Sequence, residues 1–174
     1  MATTTATTTT TLGSWYIVSA LVENKPGVLF RVTNLFRARN FNIESITVGS
    51  TEYPDLSRMT ITTNSDEKTL DQLVKQLRKL IDVVDVKVLD DDKTVYRELA
   101  LIKMRAADPT TRSEIINYAT IFRGNILDIG KQTITVEITG TPDKIDAFKN
   151  LVEHYGLAQL ARTGVVALPR GIEM

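Results

Sequence analysis

Residues 16–36 read Tyr-Ile-Val-Ser-Ala-Leu-Val-Glu-Asn-Lys-Pro-Gly-Val-Leu-Phe-Arg-Val-Thr-Asn-Leu-Phe, and the rest of the fold follows from how this stretch changes period. Tyr16 to Val22 is a continuous β-rich apolar run, which reads as a strand. Glu23-Asn24-Lys25-Pro26-Gly27 breaks it with a proline and a glycine, the residues of a turn. Beyond the turn the apolar positions Val28, Leu29, Val32, Leu35 and Phe36 fall at spacings of three and four, one buried face of a helix. Asn40 closes that helix in a turn.

Working outward, Ile43 to Ser50 predicts a second strand with Ile46 and Val48 on one side. Residues 51–55 form a hairpin-like loop. Leu56 to Thr63 follows as a third strand, Met59 and Ile61 alternating with Arg58 and Thr60. Asp66 begins a helix carrying Leu70, Leu73, Val74, Leu77, Leu80 and Ile81, and Val84, Val86 and Val88 alternate in a fourth strand. The order is βαββαβ. The acidic break Asp90-Asp91-Asp92 precedes a repetition: a strand over Val95 to Arg105, a helix opened by Asp108-Pro109 with Ile115, Ala119 and Phe122 on its face, and Gly124 at the position of a C-cap. Strands follow over Ile126 to Ile129 and Thr133 to Ile138. Thr141-Pro142-Asp143 opens a helix with Ile145, Phe148, Val152 and Tyr155, and Leu157 to Leu168 supplies the last strand. The expected class is α+β: two tandem ferredoxin-like βαββαβ domains, antiparallel sheets with helices on one face, over residues 15–90 and 91–174. Residues 1–14, only Met, Ala and Thr up to residue 11, are expected to be a disordered tail.

Composition narrows the function. Of 174 residues, 43% are hydrophobic and 24% charged, ordinary for a globular chain. Two units of roughly 80 residues would each bury only about 60–65% of their unfolded surface, so packing against a neighbour is expected. Lys plus Arg and Asp plus Glu number 21 each, so no basic excess favours nucleic acid or an anionic membrane. No apolar run is long enough for a membrane span. The absence of cysteine removes disulfides, thiolate metal sites and a Cys nucleophile, and fits a cytoplasmic setting. The single histidine, His154, sits at the end of a helical pattern, where a cation suits the helix dipole. Glu44, Glu52 and Asp55 are not oriented into an acid–base pair, Asp90 to Asp92 lack the spacing of a calcium loop, and no glycine-rich phosphate loop is present. No catalytic residue and no metal site are expected.

Two short stretches remain as binding candidates. In Asn24-Lys25-Pro26-Gly27-Val28-Leu29, a strand feeds a helix N-terminus, whose unpaired N–H groups and partial positive charge suit a carboxylate. Gly27 would permit close approach or a positive φ, and Asn24 offers donors and an acceptor to a polar ligand. The same residues also fit a plain helix start, which is the commoner use of such a loop. In Phe41-Asn42-Ile43-Glu44-Ser45, Asn42 could be a left-handed turn residue or a polar contact across an interface.

Five motifs, in this order, resemble the small subunit of acetolactate synthase (acetohydroxyacid synthase). They are residues 22–29 (Val-Glu-Asn-Lys-Pro-Gly-Val-Leu), 41–48 (Phe-Asn-Ile-Glu-Ser-Ile-Thr-Val), 56–61 (Leu-Ser-Arg-Met-Thr-Ile), 121–128 (Ile-Phe-Arg-Gly-Asn-Ile-Leu-Asp) and 161–171 (Ala-Arg-Thr-Gly-Val-Val-Ala-Leu-Pro-Arg-Gly). The first domain is similar to an ACT domain, an amino-acid-sensing module. The resemblance implies a non-catalytic regulatory subunit with no cofactor of its own. Its partner would be the large subunit, which holds thiamine diphosphate, Mg and FAD and condenses two pyruvates, or pyruvate with 2-oxobutyrate, in branched-chain amino-acid biosynthesis. It further implies a homodimer through the ACT domains, activation of the large subunit, and feedback inhibition by valine or a related amino acid such as isoleucine. Asn24, Gly27, Val28 and Leu29 match the effector loop of one protomer, and Asn42 and Ile43 the contacting segment of the other. Three competing expectations are a sensor for a different amino-acid enzyme, a transcription regulator, which would need a DNA-binding element, and a small stand-alone enzyme.

Overall fold

The computed structural model describes residues 14–171, so residues 1–13 of the expected tail lie outside it. The first unit contains β1 (Ser14–Glu23), α1 (Val28–Ala38), β2 (Ser45–Ser50), β3 (Leu56–Ser65), α2 (Glu67–Leu77) and β4 (Val83–Leu89). The second contains β5 (Thr94–Arg105), α3 (Pro109–Ile121), β6 (Asn125–Ile129), β7 (Thr133–Gly140), α4 (Pro142–Val152), β8 (Leu157–Arg162) and β9 (Val166–Pro169). The sheets run β2-β3-β1-β4 and β6-β7-β5-β8, with β9 also on β5. These are two ferredoxin-like α+β units with antiparallel sheets, as the pattern predicts. By compactness, however, Ser45–Val48 of β2 groups with the second unit, Leu89 onward, while Gly49–Val88 returns to the first.

Alternation puts Val18, Ala20 and Val22 on one face of β1, and the register sets Val18 and Ala20 opposite Ile61 and Met59 of β3. All five are buried, as are Val28, Val32 and Phe36 of α1 and Leu70, Leu73, Val74 and Leu77 of α2. In the second unit Ala100, Ile102 and Met104 of β5 pair with Ile138, Val136 and Ile134 of β7. They share one core cluster with Ile115 and Ala119 of α3 and Ile145, Phe148 and Val152 of α4. Burying each large aliphatic or aromatic side chain contributes about 1.5–3 kcal/mol. The largest polar group brought into this unit is Glu98, 6% exposed, which Arg162 pairs while also reaching Asp146 at 2.7 Å.

Several details depart from the sequence pattern. β1 begins at Ser14, one residue inside the expected tail. α2 ends at Leu77, and Ile81, expected on its buried face, is 91% exposed in the turn beyond. Of Val84, Val86 and Val88 only Val86 is buried; Leu89 is its buried companion, so β4 does not keep a strict period of two. The single last strand is two, β8 pairing with residues 100–104 of β5 and β9 with residues 94–97. Two residues of β5, Glu98 and Leu99, face the three residues Thr163, Gly164 and Val165, so one extra residue is accommodated where Gly164 takes φ +82°. That is the geometry of a β-bulge.

Two helices stop in the same way, through a left-handed residue that turns the chain so its N–H groups meet the last carbonyls. After α1 the residue is Asn40, φ +56°: its N–H donates to the Arg37 carbonyl (3.2 Å), and the Phe41 N–H to that of Phe36 (2.9 Å). The Phe41 ring sits edge-on to Phe36 at 6.1 Å, the apolar contact that accompanies this motif. After α3 the left-handed residue is Arg123, φ +53°, not the expected Gly124. The Arg123 N–H donates to Thr120 (3.0 Å) and the Gly124 N–H to Ala119 (2.7 Å). Gly124 is needed for space: a Cβ there would collide with Ile138 Cδ1 and lie 2.9 Å from the Glu137 carbonyl oxygen. The left-handed region costs a side-chain-bearing residue roughly 1–2 kcal/mol, part of which glycine returns through its unfolded-state freedom. Arg123→Gly is therefore expected to stabilise the second unit by about 0.5 kcal/mol, and Gly124→Ala to destabilise it, both read from urea midpoints at constant slope.

The helix starts differ. Asp66 caps α2 by accepting from Thr69 N–H (2.8 Å) and Thr69 Oγ1 (2.9 Å), and Asp108 caps α3 by accepting from Thr111 N–H (2.9 Å). The backbone hydrogen bonds, from Thr69 and Thr111 respectively, are the main cause holding both carboxyls below the ordinary aspartate value. A depressed folded pKa gives stability that is present above the unfolded value of about 3.9 and lost as pH falls through the folded value. Asp66→Asn with Asp108→Asn keeps both caps, since Asn and Asp cap about equally. The double variant should match the parent at pH 7 and show a shallower loss of stability below about pH 4 in acid titrations followed by circular dichroism.

Candidate functional site

The Asn24–Leu29 loop is held from three sides. The Asn24 N–H donates to the Asp55 carbonyl (2.8 Å), and the Glu23 N–H to the Asp82 carbonyl (2.9 Å). The Asp82 side chain, 9% exposed, accepts from Arg31 Nη1 at 2.5 Å, so one residue braces both the end of β1 and the first turn of α1. The sequence pattern gave Asp82 no role, because nothing local marks a residue whose partners, Glu23 and Arg31, are so distant in the chain. Lys25 Nζ donates to Glu23 Oε2 at 2.9 Å, a bond that raises the Lys25 pKa.

Gly27 precedes α1 with φ +89°, one of the two uses its sequence position leaves open. Unlike α2 and α3, α1 has no side-chain hydrogen bond at its start, and unlike α2 it has no acidic residue in its first turn. An ideal Cβ on Gly27 meets nothing within 4 Å, so the space above this helix end is open. Leu29 and Phe30 flank it, 45% and 71% exposed. Val28 does not: the residue is 2% exposed, inside the core. Phe30 escaped the sequence reading because it lies off the buried face of α1, where an exposed apolar residue carries no periodic signal.

The second segment starts where the α1 cap ends. Asn42 is exposed and Ile43 half-buried. Asn42 is not the left-handed residue; Asn40 is. Its Nδ2 donates to Glu44 Oε1 at 2.7 Å, and its carbonyl accepts from Thr63 Oγ1 at 2.7 Å. The Glu44 N–H donates to the Thr62 carbonyl (2.9 Å), laying the segment along β3. Beside Asn42 a cleft of about 250 Å³ is lined by Asn40, Thr63, Ser65, Asp66 and Thr69 among others. Ser65 Oγ in its wall is buried without a hydrogen-bond partner.

The structure does not bring the two segments of one chain together. They leave opposite ends of α1, whose 11 residues span about 16 Å. The sheet gives a second ruler. Asn42 is tied to Thr63, opposite Tyr16, and Asn24 follows Glu23, so the segments are separated by seven steps of β1, about 23 Å. Among the described residues, no group of three or more His, Cys, Asp or Glu side chains is placed to hold a metal ion, and no helix is long and apolar enough to cross a membrane. His154 lies in a one-turn helix after α4, its ring 3.8 Å from that of Tyr155.

Comparison with known proteins places these features. Residues 18–85 match the ACT domain of the acetohydroxyacid synthase small-subunit type, and residues 97–171 match the family described as the small subunit of acetolactate synthase. A probable acetolactate synthase small subunit of Methanothermobacter thermautotrophicus is 53% identical over 156 residues, 90% of this chain and 93% of that protein. The acetolactate synthase small subunit of Mycolicibacterium smegmatis is 47% identical over 90% of this chain and 91% of its own length. This chain belongs to the acetolactate synthase small-subunit family. The crystal structure of the family's Thermotoga maritima small subunit superposes with a TM-score of 0.85 at 44% identity, covering 92% of this chain and 99% of that one. The five sequence motifs thus lie on a family fold, with Asn24–Leu29 and Asn42–Ile43 at opposite ends of the ACT helix.

Because nothing crowds the missing Cβ of Gly27, any side chain there is strained only by its backbone. Gly27→Ala should cost about 1 kcal/mol of stability, and Gly27→Asn less, since Asn tolerates this region better; urea unfolding of the two variants measures the difference.

Proposed function

We propose that this chain is the regulatory subunit of an acetolactate synthase. It binds the catalytic large subunit, raises its activity, and lowers it again when valine, or another branched-chain amino acid, occupies a site shared by two copies of the ACT domain. The thiamine diphosphate, Mg and FAD chemistry belongs to the large subunit; this chain contributes binding and coupling only.

The observation that carries the reading is the separation of the two family-matched segments. A free amino acid is far shorter than the distance of about 16 Å between the ends of α1, so no single protomer offers both to one ligand. Two protomers packed so that the α1 start of one meets the Asn42 segment of the other supply both. The uncapped start of α1 then takes the carboxylate through backbone N–H groups, favoured by the helix dipole and the Lys25 cation. Asn24 and Asn42 meet polar ends, and Leu29 and Ile43 cover the side chain. The two methyl-sized groups by which valine exceeds alanine are worth roughly 1.5 kcal/mol of burial, enough to prefer valine over alanine but not to separate it from leucine or isoleucine.

Regulation requires that the effector favour one arrangement of the complex over another. A coupling of about 1–3 kcal/mol changes an affinity roughly 5–150-fold. Acetolactate formation by the cognate large subunit, with this protein and a valine titration, tests the reading. Addition of the chain is expected to stimulate the reaction, and valine to reverse the stimulation. Asn24→Ala and Asn42→Ala should each weaken inhibition at least tenfold in valine concentration. Mixing the two variants should restore a fraction of sensitive enzyme, because a mixed dimer contains one site with both asparagines. Absence of stimulation would refute the partner, and failure of the mixture to recover sensitivity would refute the shared site.

A further inference from the structure

An amino acid brings two charges to its site, and the residues assigned so far answer only one of them. The uncapped start of α1 favours the carboxylate. Asn24 and Asn42 are neutral, and Leu29 and Ile43 are apolar. An ammonium group drawn out of water needs acceptors, and a carboxylate is the strongest acceptor a side chain offers. We infer that Glu44, oriented by Asn42, takes the α-ammonium group of the effector. This rests on the proposed effector site and names the residue that makes it select amino acids over plain carboxylic acids.

The first unit by itself carries the geometry. Glu44 directly follows Ile43, and the backbone is anchored to β3 on both sides of that residue. The Asn42 carbonyl accepts from Thr63 Oγ1 at 2.7 Å, and the Glu44 N–H donates to the Thr62 carbonyl at 2.9 Å. On this fixed backbone Asn42 Nδ2 donates to Glu44 Oε1 at 2.7 Å. Glu44 is exposed, and among the described residues no Lys or Arg forms an ion pair with it. A carboxylate held by one neutral donor keeps its charge, keeps its second oxygen for a ligand, and has already given up part of the side-chain freedom that binding costs.

Most other anions near the two segments are already engaged. Asp66, in the wall of the cleft beside Asn42, gives Oδ1 to the Thr69 N–H and Oδ2 to Thr69 Oγ1 as the cap of α2. Glu23 is paired with Lys25 at 2.9 Å, and Asp82 with Arg31. Asp55 is the exception. It is exposed, its carbonyl accepts from the Asn24 N–H, and no ion pair holds its carboxylate among the described residues. No side-chain donor fixes it as Asn42 fixes Glu44, which is why Glu44 is preferred and Asp55 serves as the comparison. Asn42 then acts as a positioning residue as well as a contact, since its amide sets where the Glu44 carboxylate stands.

The test compares valine with isovalerate, which has the same carboxylate and the same branched end but no ammonium group. Binding of each to the full-length small subunit is read by calorimetry, isovalerate by competition with valine. Glu44→Gln keeps an oxygen for the Asn42 donor and removes only the charge. The parent is expected to bind valine at least about tenfold more tightly than isovalerate. Glu44→Gln should weaken valine at least about tenfold and leave isovalerate within about twofold, so that the discrimination collapses. Asp55→Asn should leave both ligands and their ratio unchanged. Parent-like valine binding by Glu44→Gln would overturn the inference. Equal weakening of valine and isovalerate would also overturn it, since the residue would then serve the shape of the segment and not the ammonium group. So would a selective loss of valine in Asp55→Asn. These outcomes leave the effector reading standing; a parent that bound no valine would remove that reading, and this assignment with it.

Discussion

The architecture of the candidate site depends on how α1 is closed. A left-handed residue stands at each end, Gly27 at φ +89° and Asn40 at φ +56°. The first turns the chain into the helix with no side chain over its N-terminus. The second folds it back so that Phe41 covers Phe36 and Asn42 emerges exposed beside β3. The helix between is a spacer of fixed length whose inner face, Val28, Val32 and Phe36, is locked into the core. With both ends fixed, the distance between the two segments is set by helix geometry and cannot close without unfolding a turn. A ligand contacted by both must be contacted by two chains, so an effector site of this design is also a dimer device.

That division of labour suits regulation. A site assembled from two copies responds to how the copies are arranged, and binding energy spent on joining them is available to bias the arrangement. The core pieces are rigid: β1 and β3 pair over their whole length, and α1 and α2 bring seven buried side chains to the sheet.

Much of the fold was legible in the sequence because its signals are local. The switch from a continuous apolar run to three-and-four spacing at Pro26-Gly27 marks the first strand, turn and helix, and the recurrence of βαββαβ gives both units. The glycine of the turn was legible for the same reason, but not which of its two uses it serves. What escaped is set by contacts distant in sequence. Arg123 is left-handed and Gly124 is not, because Gly124 must lie against Ile138 and the Glu137 carbonyl, which local sequence does not reveal. Ile81 fits the helical period of α2, yet the helix has already ended at Leu77. The last strand reads as continuous, since one extra residue opposite Glu98 and Leu99 leaves no mark in hydropathy. The motifs single out both candidate segments, but Val28 is core, and Asp82, the brace of the first loop, carries no local signal.

The central claim is that Asn24–Leu29 and Asn42–Ile43 take one amino acid between two protomers. Backbone hydrogen exchange of the small subunit alone, with and without saturating valine, tests it most directly. The account predicts slowed exchange in the first turn of α1 and in residues 41–47 together, with the interior of α1 unchanged. Protection confined to one of those segments, or appearing elsewhere with both unchanged, would contradict it.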